Sequence, residues 1–340
     1  MISRENNFDL IRFFAAFQVL LYHGLYHLKI DSLSSFSDLI DYFPGVLIFF
    51  TISGFLIFSS YDRNNDLKKY FRNRVLRIFP ALWLCFIFTI VLLLSFHVIT
   101  FSDLFSFTMI KWSLTQISFL QLWTPDILRS WGVGTPNGNL WTIPVEIEYY
   151  VFLPLIVLTF RKIKLVYKFT FFAILSILFN IYLQTKLHHK GSDVLVKFMY
   201  YSLPPYLYCF LSGALLYLFW DKIKKMIEGK SLYWFILFAA FCFIFRTKPA
   251  YFPQPVQIIS NIILSIFIIS LAFTAPKLGS ILKGNDISYG VYIYHQLILN
   301  SFIALGLMGD IKYLFGVILL TFLFSYLSWI FVEKRALSLK

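Results

Sequence analysis

Phe8-Asp9-Leu10-Ile11-Arg12 opens an apolar run that passes through His23 and continues to about Ile30. Arg12 and His23 are eleven residues apart. That is close to three helical turns, so on an α-helix both side chains point the same way, about 16 Å apart along the axis. Asp9 lies one turn before Arg12 on nearly the same face. A run of this length crosses a bilayer, and the three ionisable groups then form one stripe through it. Such groups are costly in lipid and face a protein interior or a functional cavity. The stripe is therefore the candidate core of a site.

The rest of the chain has the same character. Of 340 residues, 59% are hydrophobic and 14% charged, with a mean hydropathy of +0.73. A soluble domain carries roughly 25% charged residues. The apolar excess recurs as blocks about as long as a bilayer is thick. The fold class expected is an all-α polytopic membrane protein, a bundle of about ten transmembrane helices. The predicted spans are 8–30, 41–61, 78–99, 141–160, 166–184, 203–220, 231–245, 258–275, 286–307 and 312–332. With the N-terminus inside, the inner segments are Met1–Asn7, Asp62–Arg77, Arg161–Leu165, Asp221–Lys230, Pro276–Asn285 and the tail from Glu333. These hold about twenty of the thirty Lys and Arg, so the positive-inside rule puts both termini in the cytoplasm. The net charge of +13 is read as a topology signal, with no nucleic-acid partner. No internal repeat or soluble appendage is visible, and residues 1–340 form one membrane domain. Acidic as well as basic residues near the start, with Arg12 and His23 inside the apolar run, argue against a cleaved signal peptide. Cys85, Cys209 and Cys242 lie in apolar blocks without metal-ligand spacing. They read as buried thiols, and no metal site is expected.

Other polar residues stand out within this background. Arg74 and Arg77 precede the third span and share a helix face. Two guanidiniums side by side suit phosphate recognition, although residue type alone favours a topology signal or lipid anchor. In the second span, Ser53-Gly54 lets a ligand or another helix approach closely. Trp141–Tyr150 opens the fourth span with Glu146 and Glu148, which lie on nearly opposite helix faces. Glu146 is at the depth of His23, and a carboxylate beside a histidine orients the imidazole. In the ninth span Ser288, Tyr292 and His295 lie close to one face, and a mid-membrane His295 needs a partner. His27 reads as an outer-surface residue; His97, His188 and His189 are assigned no role. The long outer segment Thr100–Leu140 mixes apolar and polar residues with Trp112, Trp123 and Trp131. It either lies along the interface or dips back in, and Gly132–Gly138 within it is a turn-rich loop.

These pieces together resemble the acyltransferase-3 family of membrane acyltransferases. The matching elements are Asp9/Arg12/His23, Phe50-Thr51-Ile52-Ser53-Gly54-Phe55, Arg74-Val75-Leu76-Arg77, the Trp141–Tyr150 stretch with Glu146, and Ser288-Tyr289-x-x-Tyr292-x-x-His295. They occur in family order and cover nearly the whole chain. The fourth departs from the family pattern, with Ile147 after Glu146 and the polar position falling to Glu148. The resemblance implies transfer of an acyl group, usually acetyl, from cytoplasmic acetyl-CoA to a hydroxyl. The donor is a substrate, with no permanently bound cofactor. The acceptor is a surface glycan, a lipid-linked saccharide or another small molecule, and the setting a prokaryotic inner membrane. No separate esterase domain is seen in the chain. By resemblance and polarity together, Arg12, Arg74, Arg77, Ser53 and Gly54 take the acyl donor. His23, with Glu146, is catalytic, as general base or transient acyl carrier. Asp9, Ser288, Tyr292 and His295 support the site. Partners are acyl-CoA, the glycan acceptor and membrane lipids. A transporter or flippase for a lipid-linked saccharide is the alternative from another class; it would need no acyl donor. A glycan polymerase or a scaffold fits the stripe less well.

Overall fold

The computed structural model describes residues 6–159, 161–189, 194–251, 253–275, 278–279 and 284–340. The inner segments expected at Met1–Asn7 and Pro276–Asn285 fall largely outside these, as do the side chains of His188 and His189. Among the described residues the chain is all-helical. In order the helices are α1 (Phe8–His27), α2 (Ser34–Ile40), α3 (Gly45–Arg63), α4 (Leu67–Ser95), α5 (Phe107–Ile117), α6 (Thr142–Leu158), α7 (Leu165–His189) and α8 (Val194–Tyr200). There follow α9 (Leu207–Leu218), α10 (Trp220–Ile227), α11 (Ser231–Ile244), α12 (Pro255–Ala272), α13 (Ser288–Ala304), α14 (Ile311–Ser328) and α15 (Lys334–Leu337).

Each of the ten predicted stretches holds a helix. Seven segments are long and apolar enough to cross a membrane, or eight if α10 and α11, bent by 82°, count as one. With α10 and α11 counted as one, the stretches below that length are α9, with 12 residues, and α13, with 17. Both are shorter than expected for local reasons. Pro204-Pro205 delays the start of α9, since proline has no N–H to give the ladder. Gly306, at φ +72°, follows the end of α13, a conformation that glycine adopts without strain.

The chain divides into two compact units. The first comprises residues 1–15, 41–70 and 145–285; the second comprises 16–40, 71–144 and 286–340. In the first, α3 and α9 cross at backbone contact. A Cβ on Gly54 would lie 1.8 Å from the Phe210 carbonyl oxygen, and one on Gly213 would lie 2.0 Å from that of Thr51. With little hydrophobic drive between helices in lipid, such close approach is what packs them. Phe50 and Tyr149 stack on Phe210 at ring distances of 4.5 and 4.2 Å. A polar thread, Thr51–Ser265–Asn261–Tyr208, runs through the interior with its bonds made internally. Buried Lys168 donates to the carbonyls of Ile156, Val157 and Thr159, capping the C-terminus of α6 where cations are favoured. Asn7 serves α12 in the same way, donating to Thr274 O at 2.7 Å.

The second unit contains the outer segment. α5 turns back along α4: the Ile117 carbonyl accepts from Trp83 Nε1 at 2.9 Å, and Trp112 lies 5.9 Å from Phe86 between ring centres. Trp83 is about 18 Å short of the α4 terminus by helical rise. α5 therefore lies alongside the C-terminal half of α4. Beyond it, the loop 131–141 is stapled to α13. Buried Asn300 accepts from Val133 N at 3.1 Å and donates to the carbonyls of Thr135 and Pro136 at 2.8 and 2.9 Å. Asn137 donates to Ile293 O at 2.9 Å and Asn139 to Tyr292 O at 2.6 Å. Irregular backbone at this depth survives only with such internal partners. Gly132 sits at φ +58° with Asn300 Oδ1 2.2 Å from where a Cβ would be. Asn300→Ala removes three bonds to this loop. It should lower thermal stability by about 2 kcal/mol or more, read as the melting midpoint in detergent, and speed limited proteolysis within 131–141.

Candidate active site

The site is built on α1 and α13. His23 lies on α1 in the second unit, three turns after Arg12 on the same helix. Its Nδ1 is 3.0 Å from Nε2 of His295, and the rings are 5.2 Å apart and tilted by 36°. The partner that a mid-membrane His295 requires is thus the other histidine, 272 positions away in sequence. The second nitrogen of His295, Nδ1, is 3.1 Å from the Val291 carbonyl. A carbonyl only accepts, so His295 Nδ1 carries the hydrogen. In the neutral ring His295 Nε2 is then an acceptor, and His23 Nδ1 must donate to it. The bonding pattern leaves Nε2 of His23 with a free lone pair. The arrangement can take a proton at that atom and spread the resulting charge toward His295. His295 is 1% exposed, while His23 is only partly buried. His27, expected at the surface, is half-buried with its ring 5.8 Å from His23.

Helix α13 is held from several sides. The Tyr292 hydroxyl donates to Asn139 O at 2.7 Å and meets Thr142 Oγ1 at 2.9 Å. The Tyr289 hydroxyl donates to Ile78 O at 3.2 Å, and Gly290 leaves a Cβ-sized gap filled by Ser325. At its start, Asp286 accepts from Ser288 N at 3.2 Å and from Ser288 Oγ. Asp286 also pairs with Arg77 Nη2 at 2.5 Å.

The remaining predicted residues divide between the units. In the first unit, Arg12 pairs with Asp9 at 3.3 Å, as its one-turn spacing requires. Glu146 accepts from the Tyr150 hydroxyl and, at 3.4 Å, from Ser53 Oγ. Ser53 and Glu146, placed on separate motifs by sequence, therefore meet. A Cβ on Gly54 would meet the α9 backbone at Phe210, so the glycine lets α3 and α9 pack closely. Glu148 points the other way and accepts from Leu203 N at 2.6 Å, anchoring the turn before α9. Arg74 lies on α4 in the second unit, one turn before Arg77. Asp286, Asn137, Asn139 and Asn300 were not legible as partners. Their signal was a polar residue within or bordering an apolar run, which marks a need for a partner without naming it. Among the described residues no cluster of His, Cys, Asp or Glu could hold a metal ion.

The described residues thus combine helices long and apolar enough to cross a membrane with a hydrogen-bonded histidine pair. Residues 5–333 match the acyltransferase-3 family model, described as an acyltransferase domain. The chain belongs to this family and is a membrane O-acyltransferase. Nodulation protein 10 of Rhizobium leguminosarum bv. viciae is 31% identical over 352 residues, spanning 99% of this chain and 95% of that protein. An O-acetyl transferase of Shigella phage Sf6 is 27% identical over 359 residues, spanning 99% and 97%. The peptidoglycan O-acetyltransferase OatA of Listeria monocytogenes is 23% identical over 284 residues, spanning 76% of this chain and 45% of its own length. No solved structure matches the chain.

Proposed function

We propose that this protein moves an acetyl group from cytoplasmic acetyl-CoA to a hydroxyl of a surface glycan or lipid-linked saccharide. The observation that carries this reading is the His23–His295 bond at 3.0 Å, which leaves His23 Nε2 as the basic atom. In the reaction, Nε2 takes the proton of the acceptor hydroxyl as its oxygen attacks the thioester carbonyl. The carbon–sulfur bond breaks, and the CoA thiolate receives the proton from His23. His295 holds the imidazolium through the Nδ1–H bond, the part that a carboxylate takes in other histidine-based sites. Arg74 and Arg12, the latter braced by Asp9, take the donor side; Glu146, with Ser53 and Tyr150, supports the reacting groups. Ser288 and Tyr292 fix α13. The O-acetyl transferase and peptidoglycan O-acetyltransferase among the relatives support both the acetyl group and a glycan acceptor.

In this reading residues 1–340 are one membrane domain with about ten spans and both termini in the cytoplasm of a prokaryotic inner membrane. The basic residues cluster in the segments between spans that this orientation places inside.

The test is acyl transfer in membranes from cells expressing the protein, with labelled acetyl-CoA and mass spectrometry of polysaccharide and lipid-linked glycans. A base-labile gain of one acetyl group on a glycan is the expected result. Label arriving only in a non-glycan pool, or in no pool from well-expressed protein, would overturn it.

A further inference from the structure

The Arg77–Asp286 pair stands outside everything used so far. Arg77 lies in the first half of α4, in a basic stretch suited to phosphates by composition. Its guanidinium is instead turned inward. Asp286, with 8% of its side chain exposed, takes it at 2.5 Å. A second buried carboxyl, Glu333, 3% exposed, is close enough for its charge to act on Arg77. One Glu333 oxygen accepts from Ser328 at 3.1 Å, and the other has no hydrogen-bond partner. Glu333 ends a π-helical turn, Trp329–Glu333, after α14, a geometry that collects at functional positions. One arginine set among two acids presents little net positive charge to a polyanionic donor.

The other half of Asp286 is bound to α13. Its Oδ1 accepts from both the backbone N–H and the hydroxyl of Ser288. Ser288 and His295 are seven residues apart. That is two turns on one face, about 10 Å of stiff helix. Whatever fixes the rotation and height of Ser288 also fixes His295. The link from α4 to the catalytic pair therefore runs Arg77, Asp286, Ser288, His295, His23.

We propose that Asp286 is a positioning residue for the acyl-transfer reaction. With Arg77 it holds α13 in the register that brings His295 Nε2 to His23 Nδ1, and Arg77 acts through this pair rather than as a ligand of the donor phosphates. The proposal rests on the reading of His23 as base, and it makes a geometric claim that can be measured without activity. Removing either partner leaves the other charged and half-buried or buried, which helices relieve by shifting. A shift of about 1 Å at a reacting group costs on the order of 100-fold in rate.

The experiment compares full-length Arg77→Met and Asp286→Asn with Arg77→Lys and Asp286→Glu, the conservative forms that keep an ion pair and an acceptor for Ser288. The first readout is steady-state kinetics with acetyl-CoA. Arg77→Met and Asp286→Asn should each lower kcat roughly 10- to 100-fold with KM for acetyl-CoA within about twofold, and Arg77→Lys and Asp286→Glu, which keep both the ion pair and the acceptor for Ser288, should lose less. The second readout needs no turnover. His23→Cys and His295→Cys are combined, and the yield with a short bis-thiosulfonate crosslinker is measured in each background. It should fall in Arg77→Met and Asp286→Asn and stay near the wild-type yield in Arg77→Lys and Asp286→Glu. A more than tenfold rise in KM for acetyl-CoA in Arg77→Met, with Asp286→Asn unaffected and crosslinking unchanged, would overturn the proposal and make Arg77 a donor ligand. If the parent protein transfers nothing yet crosslinking follows the pattern, the positioning claim stands and the assigned reaction is what fails.

Discussion

Replacing His23 with alanine removes acyl transfer while the protein stays in the membrane at its normal level. The expected loss is about 1,000-fold or more, since a general base contributes 10²–10⁴-fold and His27, the neighbouring ring 5.8 Å away, does not share the bond to His295. Replacing His295 with alanine costs less, roughly 100-fold. The base is still present but is free to rotate and to adopt the other tautomer, which puts the hydrogen on the atom that must receive one. His295→Asn should recover part of that loss, because its amide oxygen can accept from His23 Nδ1. The measurement is initial rate of labelled acetyl transfer per unit of membrane-inserted protein. Equal rates for wild type and His23→Ala would remove the base from the mechanism. Equal losses in His295→Ala and His295→Asn would mean that the contact at 3.0 Å serves packing alone.

The second large effect falls on folding. Gly54→Ala adds a methyl group 1.8 Å from the Phe210 carbonyl oxygen and 2.9 Å from its Cα. Both are backbone atoms, so no rotamer change relieves the overlap; α9 must move. Gly213→Ala meets the Thr51 carbonyl across the same crossing. Each substitution should cost about 3 kcal/mol or more, at the upper end of overpacking penalties, and yield little monodisperse protein by size-exclusion chromatography. Ser53→Ala loses only a 3.4 Å hydrogen bond to Glu146 and should fold normally. Should Gly54→Ala keep wild-type thermal stability and lose only the use of acetyl-CoA, the glycine belongs to the donor pocket after all.

The contrast between these two sites shows where sequence runs out. Asp9, Arg12 and His23 were legible because they lie on one helix, and helical spacing is a property of the chain itself. All ten apolar stretches were legible for the same reason, since lipid demands long apolar runs with internally bonded backbone. What hydropathy does not register is where a run is broken, so with Pro204-Pro205 before α9 and Gly306 after α13 both helices came out shorter than expected. Partnership was not legible either. His295 announced a need for a partner, and its partner was another such residue 272 positions earlier. Ser53-Gly54 had two readings from sequence, ligand contact or helix packing. Only the Phe210 backbone separates them at Gly54. Glu148 could be told apart from Glu146 by the two-residue offset, but its bond to Leu203 N depends on how a distant turn lands. Arg77 could be seen to share a helix face with Arg74, but its Asp286 partner lay beyond any spacing rule.

The stapled loop has a consequence for anyone exchanging parts between related enzymes. Residues 131–141 look like a surface insertion that could be cut out and replaced to change the acceptor. Their backbone groups are bonded to Asn300, and their asparagines to the carbonyls of Tyr292 and Ile293. The loop and α13 are thus one transplantable cassette. A graft that moves the loop without the helix leaves amides and carbonyls stranded at both ends of the seam, whereas the two moved together carry their own fastenings.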